Sequence, residues 1–156
     1  MNTDEHLMRQ AIAQAQAALV LDEVPIGCII YYIPTEKIIG RGHNRRQSDV
    51  DPTAHAEILA IKQAAAEMGD WRLENCAAYV TLEPCPMCAG ALVNSRVSRL
   101  VYGCADPKAG AVRTLYQLCD DTRLNHRMEI VPGVLADECA ALLKEFFARQ
   151  RALGKK

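Results

Sequence analysis

No run of apolar residues in this 156-residue chain approaches the ~18 that a membrane span requires, although half of its residues are hydrophobic. The opening Met1-Asn2-Thr3-Asp4-Glu5-His6 is acidic and polar, not a basic segment before an apolar stretch. Neither a signal nor a transit peptide is therefore expected, and a cytoplasmic protein with reduced cysteines is. A net charge of −1 excludes a globally basic nucleic-acid binder. Cysteine is not scarce, but its seven positions (28, 76, 85, 88, 104, 119 and 139) are odd in number and lack a framework spacing, so disulfides are not expected. Internal repeats, low-complexity runs and long linkers are also missing, which leaves one domain over residues 1–156.

What is present concentrates in two short segments, His55-Ala56-Glu57 and Pro84-Cys85-Pro86-Met87-Cys88. His55, Cys85 and Cys88 supply three metal-ligand side chains, one short of a closed tetrahedral site, and a zinc ion held so keeps a position for water. Zinc lowers the pKa of such a water to about 7. Glu57, two residues from a ligand, is placed to move that water's proton. Cys85 and Cys88 are spaced to share one face of a helical turn. Pro86 suits a first helical position, where its missing N–H costs nothing. Asp51-Pro52-Thr53 reads as a turn and cap opening a second helix, with His55 and Glu57 in its first turn. Two helix N-termini then converge on the metal and favour its anionic partners. A closed structural zinc site and two unrelated helix starts with incidental cysteines are the other readings. Histidine, glutamate and the proline-preceded cysteine pair together match the H-x-E…P-C-x-x-C signature of zinc deaminases.

Elsewhere the pattern alternates helix and strand. Leu7, Met8, Ala11, Ala15, Ala18 and Leu19 share a helical face over residues 3–20. Strands are predicted near 26–33 and 37–41, around the Pro34-Thr35-Glu36 turn, and then at 77–82, 99–102 and 128–131. Helices are predicted from Thr53 to Met68, at 86–95, at 111–118, and at about 136–151, the last followed by a basic tail of Arg149, Arg151, Lys155 and Lys156. Arg41, Arg45 and Arg46 form a second basic cluster. Such alternation indicates α/β layers with helices on both faces of a central sheet, the ligands lying where strands pass into helices. Cys28, Cys76 and Cys139 read as small core residues. Cys119 and His126 lack the further ligands that a second metal site would need.

The segments 51–58 (DPTAHAEI) and 81–91 (TLEPCPMCAGA) closely resemble the bacterial tRNA-specific adenosine deaminases, members of the cytidine-deaminase-type zinc-dependent superfamily. So do Glu23-Val24-Pro25-Ile26-Gly27, Gly42-His43-Asn44, Asn125-His126-Arg127, and the ending 133–143 with Phe146-Phe147. The likeness runs from about residue 5 to 151; the zinc motif carries the superfamily and residues 102–147 the subfamily. The resemblance implies a three-layer α/β/α cytidine-deaminase-like fold with a central five-stranded mixed sheet. It also implies a homodimer with one Zn2+ per subunit, and conversion of the wobble adenosine (anticodon position 34) to inosine in the tRNA anticodon arm. By resemblance His55, Cys85 and Cys88 bind zinc and Glu57 shuttles protons. Asn44 would bond the flipped adenine, with Pro25, Ile26 and Ala54 helping to wall its pocket. Asp106, Lys108, Asn125, His126, Arg127, Phe146 and Phe147 would touch the anticodon loop or flanking nucleotides.

These residues also admit plainer roles. Asn44 would suit a turn after a strand, His43 loop packing, and His126 an ordinary surface. Phe146 and Phe147 are about 100° apart on a helix, so one should join the core and the other support a splayed base. Ala89-Gly90-Ala91-Leu92-Val93 suits either the core or a dimer interface. Ala105 stands where the family usually has a charge, and Arg113-Thr114-Leu115-Tyr116 where it often has Gly-Ser-Leu-Met; Arg113 adds a charge that would suit RNA. Two functions from other classes compete: a deaminase of a free nucleobase or nucleoside (guanine, cytosine or cytidine) on the same zinc core, and a non-catalytic, zinc-stabilised RNA-binding protein. The basic C-terminal helix argues against the first, and an intact Glu57 beside an open zinc position against the second.

Overall fold

The computed structural model describes residues 3–155; Met1, Asn2 and the tail's Lys156 lie outside the described residues. Helix α1 (Asp4–Val20) opens on Thr3, whose hydroxyl accepts the His6 N–H at 3.1 Å, with Asp4 and Glu5 in its first turn to complement the helix dipole. Its apolar face, Leu7, Met8, Ala11, Ile12, Ala15 and Ala18, is buried. Strands β1 (Gly27–Tyr32) and β2 (Lys37–His43) form a hairpin around a 3-10 turn at Ile33–Thr35, where Glu36 takes a left-handed conformation. Next come α2 (Ala56–Met68), β3 (Cys76–Leu82), α3 (Pro86–Asn94), β4 (Arg99–Cys104), β5 (Glu129–Val131) and α4 (Ala136–Ala152).

The five strands form one mixed sheet in the order β2-β1-β3-β4-β5, antiparallel across its first two pairings and parallel across the last two. Successive side chains of a strand point to opposite faces. Cys28, Ile30, Ala78, Val80, Leu100 and Tyr102 accordingly pack with the buried residues of α2 and α3, whereas Ile29, Tyr31, Ala77, Tyr79 and Val101 pack with α1 and Cys139 of α4. Three layers and two cores result, as the resemblance implied. Gly42 lets α2 lie directly on β2, because a Cβ there would collide with the Ala56 carbonyl. At the sheet end formed by the N-termini of β3 and β4, Arg99 grips Asp4 through two hydrogen bonds of 2.7 Å, and the Tyr79 hydroxyl donates to the same carboxylate at 2.7 Å. The start of α1 is thereby tied across the sheet.

Two expected elements differ. The second helix starts at Ala56, not Thr53, because the Asp51 carboxylate accepts both the Thr53 N–H and its hydroxyl at 2.8 Å, which holds residues 51–53 in a turn. Residues 111–118 contain no helix. The N–H groups of Val112, Arg113 and Thr114 all point at the buried Glu83 carboxylate, so the chain wraps around an anion in place of making helical hydrogen bonds. Cys28, Cys76 and Cys139 are core residues, as expected, and Cys104 and Cys119 are buried too. No helix among the described residues is long and apolar enough to cross a membrane.

Candidate active site

His55 and Cys85 occupy equivalent places, each the extended residue capping the N-terminus of a helix, α2 and α3 respectively. Pro86 begins α3, and Cys88 returns to the same side one turn later. This brings His55 Nδ1 within 3.6 Å of Cys85 Sγ and 3.5 Å of Cys88 Sγ. Zinc–sulfur bonds of about 2.3 Å and zinc–nitrogen bonds of about 2.0 Å at tetrahedral angles separate the two donor types by about 3.5 Å. The donor set thus fits three corners of a tetrahedral ion. Among the described residues it is the one group of three or more His, Cys, Asp or Glu side chains gathered tightly enough to hold a metal. Cys119 and His126 form no second site: the thiol faces the Ala89 carbonyl, and His126 Nε2 lies 2.6 Å from the Val97 carbonyl.

The electrostatics suit a cation. The Cys88 S–H donates to Cys85, and this bond, with another from His55, brings the Cys85 thiol down to about 4 against the cost of burial. The same bond, and then burial, hold Cys88 protonated far above the ordinary thiol range. Its bond to Cys85 likewise raises His55. Glu57, in the first turn of α2 and 4% exposed, is raised to about 7, above all by burial and further by the Cys85 charge. A carboxyl poised near neutrality can both take and give a proton at working pH.

His55, Glu57 and Cys85 lie in the wall of a cavity of about 490 Å³, and Cys88 is buried. Val24, Ile26, Asn44 and Arg46 line it, as do His55, Ala56 and Glu57, then Leu82, Glu83 and Cys85, and Cys104 to Ala109. Helix α4 closes it with Ala140, Leu143, Lys144 and Phe147. Among the expected substrate residues, Asn44 and Ile26 face the cavity. Pro25 and Ala54 do not line it: both are buried, Pro25 between the two lining residues Val24 and Ile26, and Ala54 under the loop, where its carbonyl accepts the Arg45 N–H at 3.0 Å. Asn44 also holds its own surroundings, since its amide donates to the Val24 carbonyl at 3.3 Å and its Oδ1 accepts the Arg46 N–H at 3.0 Å. His43 packs as expected, with Nδ1 at 3.4 Å from Gln14 and a buried Nε2.

The expected RNA residues separate into two groups. Asp106, Lys108 and Phe147 stand on the cavity wall, and Phe146, 5% exposed, joins the core. Asn125, His126 and Arg127 lie before β5, beside Val97, at the end of the parallel strands opposite the metal ligands. The fold does not bring them to this cavity. Arg113 adds no free charge, because its guanidinium makes two 2.9 Å bonds to Asp120. In the basic segments Arg45 pairs with Asp49 and Lys155 with Asp22, and Arg46 alone of these reaches the cavity wall.

Sequence reasoning overlooked two carboxylates. Glu23, 2% exposed, accepts the N–H groups of Gln47 and Ser48, fixing the loop after Asn44. Glu83, 1% exposed, accepts five hydrogen bonds from residues 106 to 114. Burial opposes its charge, but the Thr114 hydroxyl and the loop amides outweigh that and lower its pKa. A glutamate between an apolar strand and a metal-ligand turn was the available signal.

Comparison with known proteins agrees with this geometry. A model of the MafB19-like deaminase family matches residues 2–151. A Bacillus subtilis (strain 168) protein named tRNA-specific adenosine deaminase is 47% identical over 155 residues, covering 99% of this chain and 95% of its own. A Haemophilus influenzae protein of the same name is 45% identical over 148 residues, covering 95% and 85%. One solved structure, from work on A-to-I editing by tRNA:A34 deaminases at the wobble position, is 39% identical with a TM-score of 0.83 and covers 88% of this chain and 99% of that one. A guanine deaminase from Nitrosomonas europaea superimposes with a TM-score of 0.79 at 25% identity, covering 95% and 86%. The family match over residues 2–151 and identities of 45–47% over nearly the whole length place this chain: it belongs to the MafB19-like deaminase family and, within it, to the tRNA-specific adenosine deaminases.

Proposed function

We propose that this chain is a hydrolytic deaminase that converts the wobble adenosine of a tRNA anticodon to inosine, with one zinc ion held by His55, Cys85 and Cys88. The observation that carries the reading is the buried Glu57 beside the His55, Cys85 and Cys88 donor set at an open cavity, in a chain 47% identical over nearly its whole length to a tRNA-specific adenosine deaminase. Zinc supplies, when bound, an acidified water as the nucleophile. Glu57 takes a proton from that water and delivers it to adenine N1 as C6 becomes tetrahedral. It then carries the remaining proton of the oxygen now on C6 to the N6 amino group, the C6–N6 bond breaks, and ammonia leaves as the C6 carbonyl forms. Adenosine and water become inosine and ammonia, and the carboxylate returns to its starting state.

Asn44 and Ile26 bound the base, and Asn44 retains an amide hydrogen beyond its bond to Val24. Lys108, Lys144 and Arg46 at the cavity supply cationic partners for phosphates on either side of it. Phe147, 43% exposed, offers a stacking face, with Phe146 packed edge-on beneath it. Extruding a base costs least where it is already unpaired, which suits an anticodon loop. We also infer one domain, a homodimer and a cytoplasmic location. The dimer is supported by the outward face of α3, where Gly90 has open space around it and Ala91 is half-exposed.

The test is inosine formation on a synthetic anticodon stem-loop with wobble adenosine, with metal content measured in parallel. Inosine from the intact chain and none from Glu57→Ala at full zinc occupancy is expected. Ammonia from guanine, cytosine or cytidine with none from the stem-loop would assign a free-base or nucleoside deaminase instead. RNA binding with no turnover by the zinc-loaded protein would assign a binding protein.

A further inference from the structure

Glu83 stands between two parts of the site that chain order separates. Its N–H donates to the Cys104 carbonyl at 2.9 Å, joining the ends of β3 and β4 just before the ligand turn. Its side chain turns to the following loop. Oε1 accepts the Asp106 N–H at 3.1 Å and the Thr114 hydroxyl at 2.5 Å. Oε2 accepts the N–H groups of Val112, Arg113 and Thr114 at 3.1, 2.8 and 3.0 Å. Gly110 permits the wrapping, because a Cβ there would collide with the carboxylate. The Ala111 N–H completes the junction by donating to the Pro84 carbonyl at 2.9 Å. Asp106, Lys108 and Ala109, carried by this same loop, form the cavity rim.

We propose that Glu83 is a positioning residue for substrate affinity: its buried carboxylate anchors the 106–114 loop on the ligand-bearing turn, so that the rim is ordered before RNA arrives. This rests on the functional reading above. The loop has no helix or strand of its own, and in its place a single anion gathers the amide hydrogens that would otherwise need partners. Loss of the anchor leaves Glu57 and the metal ligands on α2 and α3 where they are. It makes the rim order itself upon binding, which weakens substrate and transition state alike and is read as a higher KM with kcat retained.

Glu83→Gln keeps the shape but turns an N–H2 toward amide donors that need an acceptor. Thr114→Val removes one bond outside the cavity wall, and Thr114→Ser restores the hydroxyl. On the wobble-adenosine stem-loop, Glu83→Gln is expected to raise KM roughly 10- to 100-fold with kcat within about threefold and zinc unchanged, the scale of losing hydrogen bonds to a charge. Thr114→Val should raise KM about threefold or more, and Thr114→Ser should match the parent. Hydrogen exchange should quicken at the amides of Val112, Arg113 and Thr114 in Glu83→Gln and stay unchanged in α2. Should Glu83→Gln not fold, Thr114→Val carries the comparison. Lost kcat or lost zinc at unchanged KM, or Thr114→Val with parental KM and exchange, overturns the proposal. A parent chain that makes no inosine overturns the functional reading instead, while unchanged loop exchange in an active enzyme overturns only the anchor.

Discussion

Replacing Glu57 with Gln should slow turnover steeply and stabilise the protein, and the size of the second effect follows from burial. The side chain is 4% exposed and its carboxyl is raised from 4.5 to about 7. A group with a raised carboxyl pKa binds more protons folded than unfolded, so its contribution to stability falls as pH rises between the two values. At 1.36 kcal/mol per pKa unit, the cost of keeping it buried is about 1 kcal/mol at pH 5 and about 3 kcal/mol at pH 8. Glutamine keeps the volume and carries no charge. Urea unfolding of reduced, chelator-treated protein should therefore show Glu57→Gln more stable than the parent at pH 8, by about 2 kcal/mol more than at pH 5. Groups beyond the reach of the Glu57 charge cancel in this difference, whereas His55, Cys88 and Cys28, which feel it, do not. With zinc restored, kcat on the stem-loop should fall by about 10²–10⁴-fold, roughly 3–5 kcal/mol of barrier. An inactive variant whose stability difference is flat with pH, or which is less stable at pH 8, would refute the argument that burial tunes this carboxyl.

Asn44→Ala leaves the Arg46 N–H without a partner and the Val24 carbonyl with only its bond from the Ile26 N–H, so it should cost about 1–3 kcal/mol in urea unfolding and lower kcat/KM on the stem-loop more than tenfold. Lys108→Ala should reduce the slope of log affinity against log salt by about 0.7, the contribution of one single-strand phosphate contact, whereas Arg113→Ala should leave it unchanged because Asp120 already neutralises the guanidinium. A reduced slope for Arg113→Ala would contradict that pairing. Arg99 first, through its bonds, holds the Asp4 carboxyl below 3.8, so its contribution is present above that value and lost as pH falls through the folded pKa. A double-mutant cycle of Asp4→Asn with Arg99→Lys should give a coupling of roughly 1–2 kcal/mol at pH 7 that fades in acid, with no change in KM.

Short-range patterns made much of this molecule legible. The helical face of α1, the alternation along β1 and β3, and the Pro86 helix start obey local periodicity and steric rules, so they can be read without knowing what they touch. The metal triad was legible for a similar reason: a Cys pair three apart and a capping His report ligand geometry within a few residues each. The region 111–118 was not legible. Its residues suggest a helix, but the partner that prevents one, Glu83, lies more than twenty positions earlier and meets them only when β3 and β4 align in register. The same holds for charge, since Arg113 reads as free until Asp120 folds back on it. Asn125, His126 and Arg127 share a motif with the site by resemblance alone; the parallel strands put them at the opposite end of the sheet. The sequence by itself therefore determined the layered fold and the chemistry of the donors, because propensity and ligand spacing are local. Only the tertiary structure decided which side chains line the cavity, which charges are neutralised and how far Glu57 is buried, because each depends on groups brought together across the sheet.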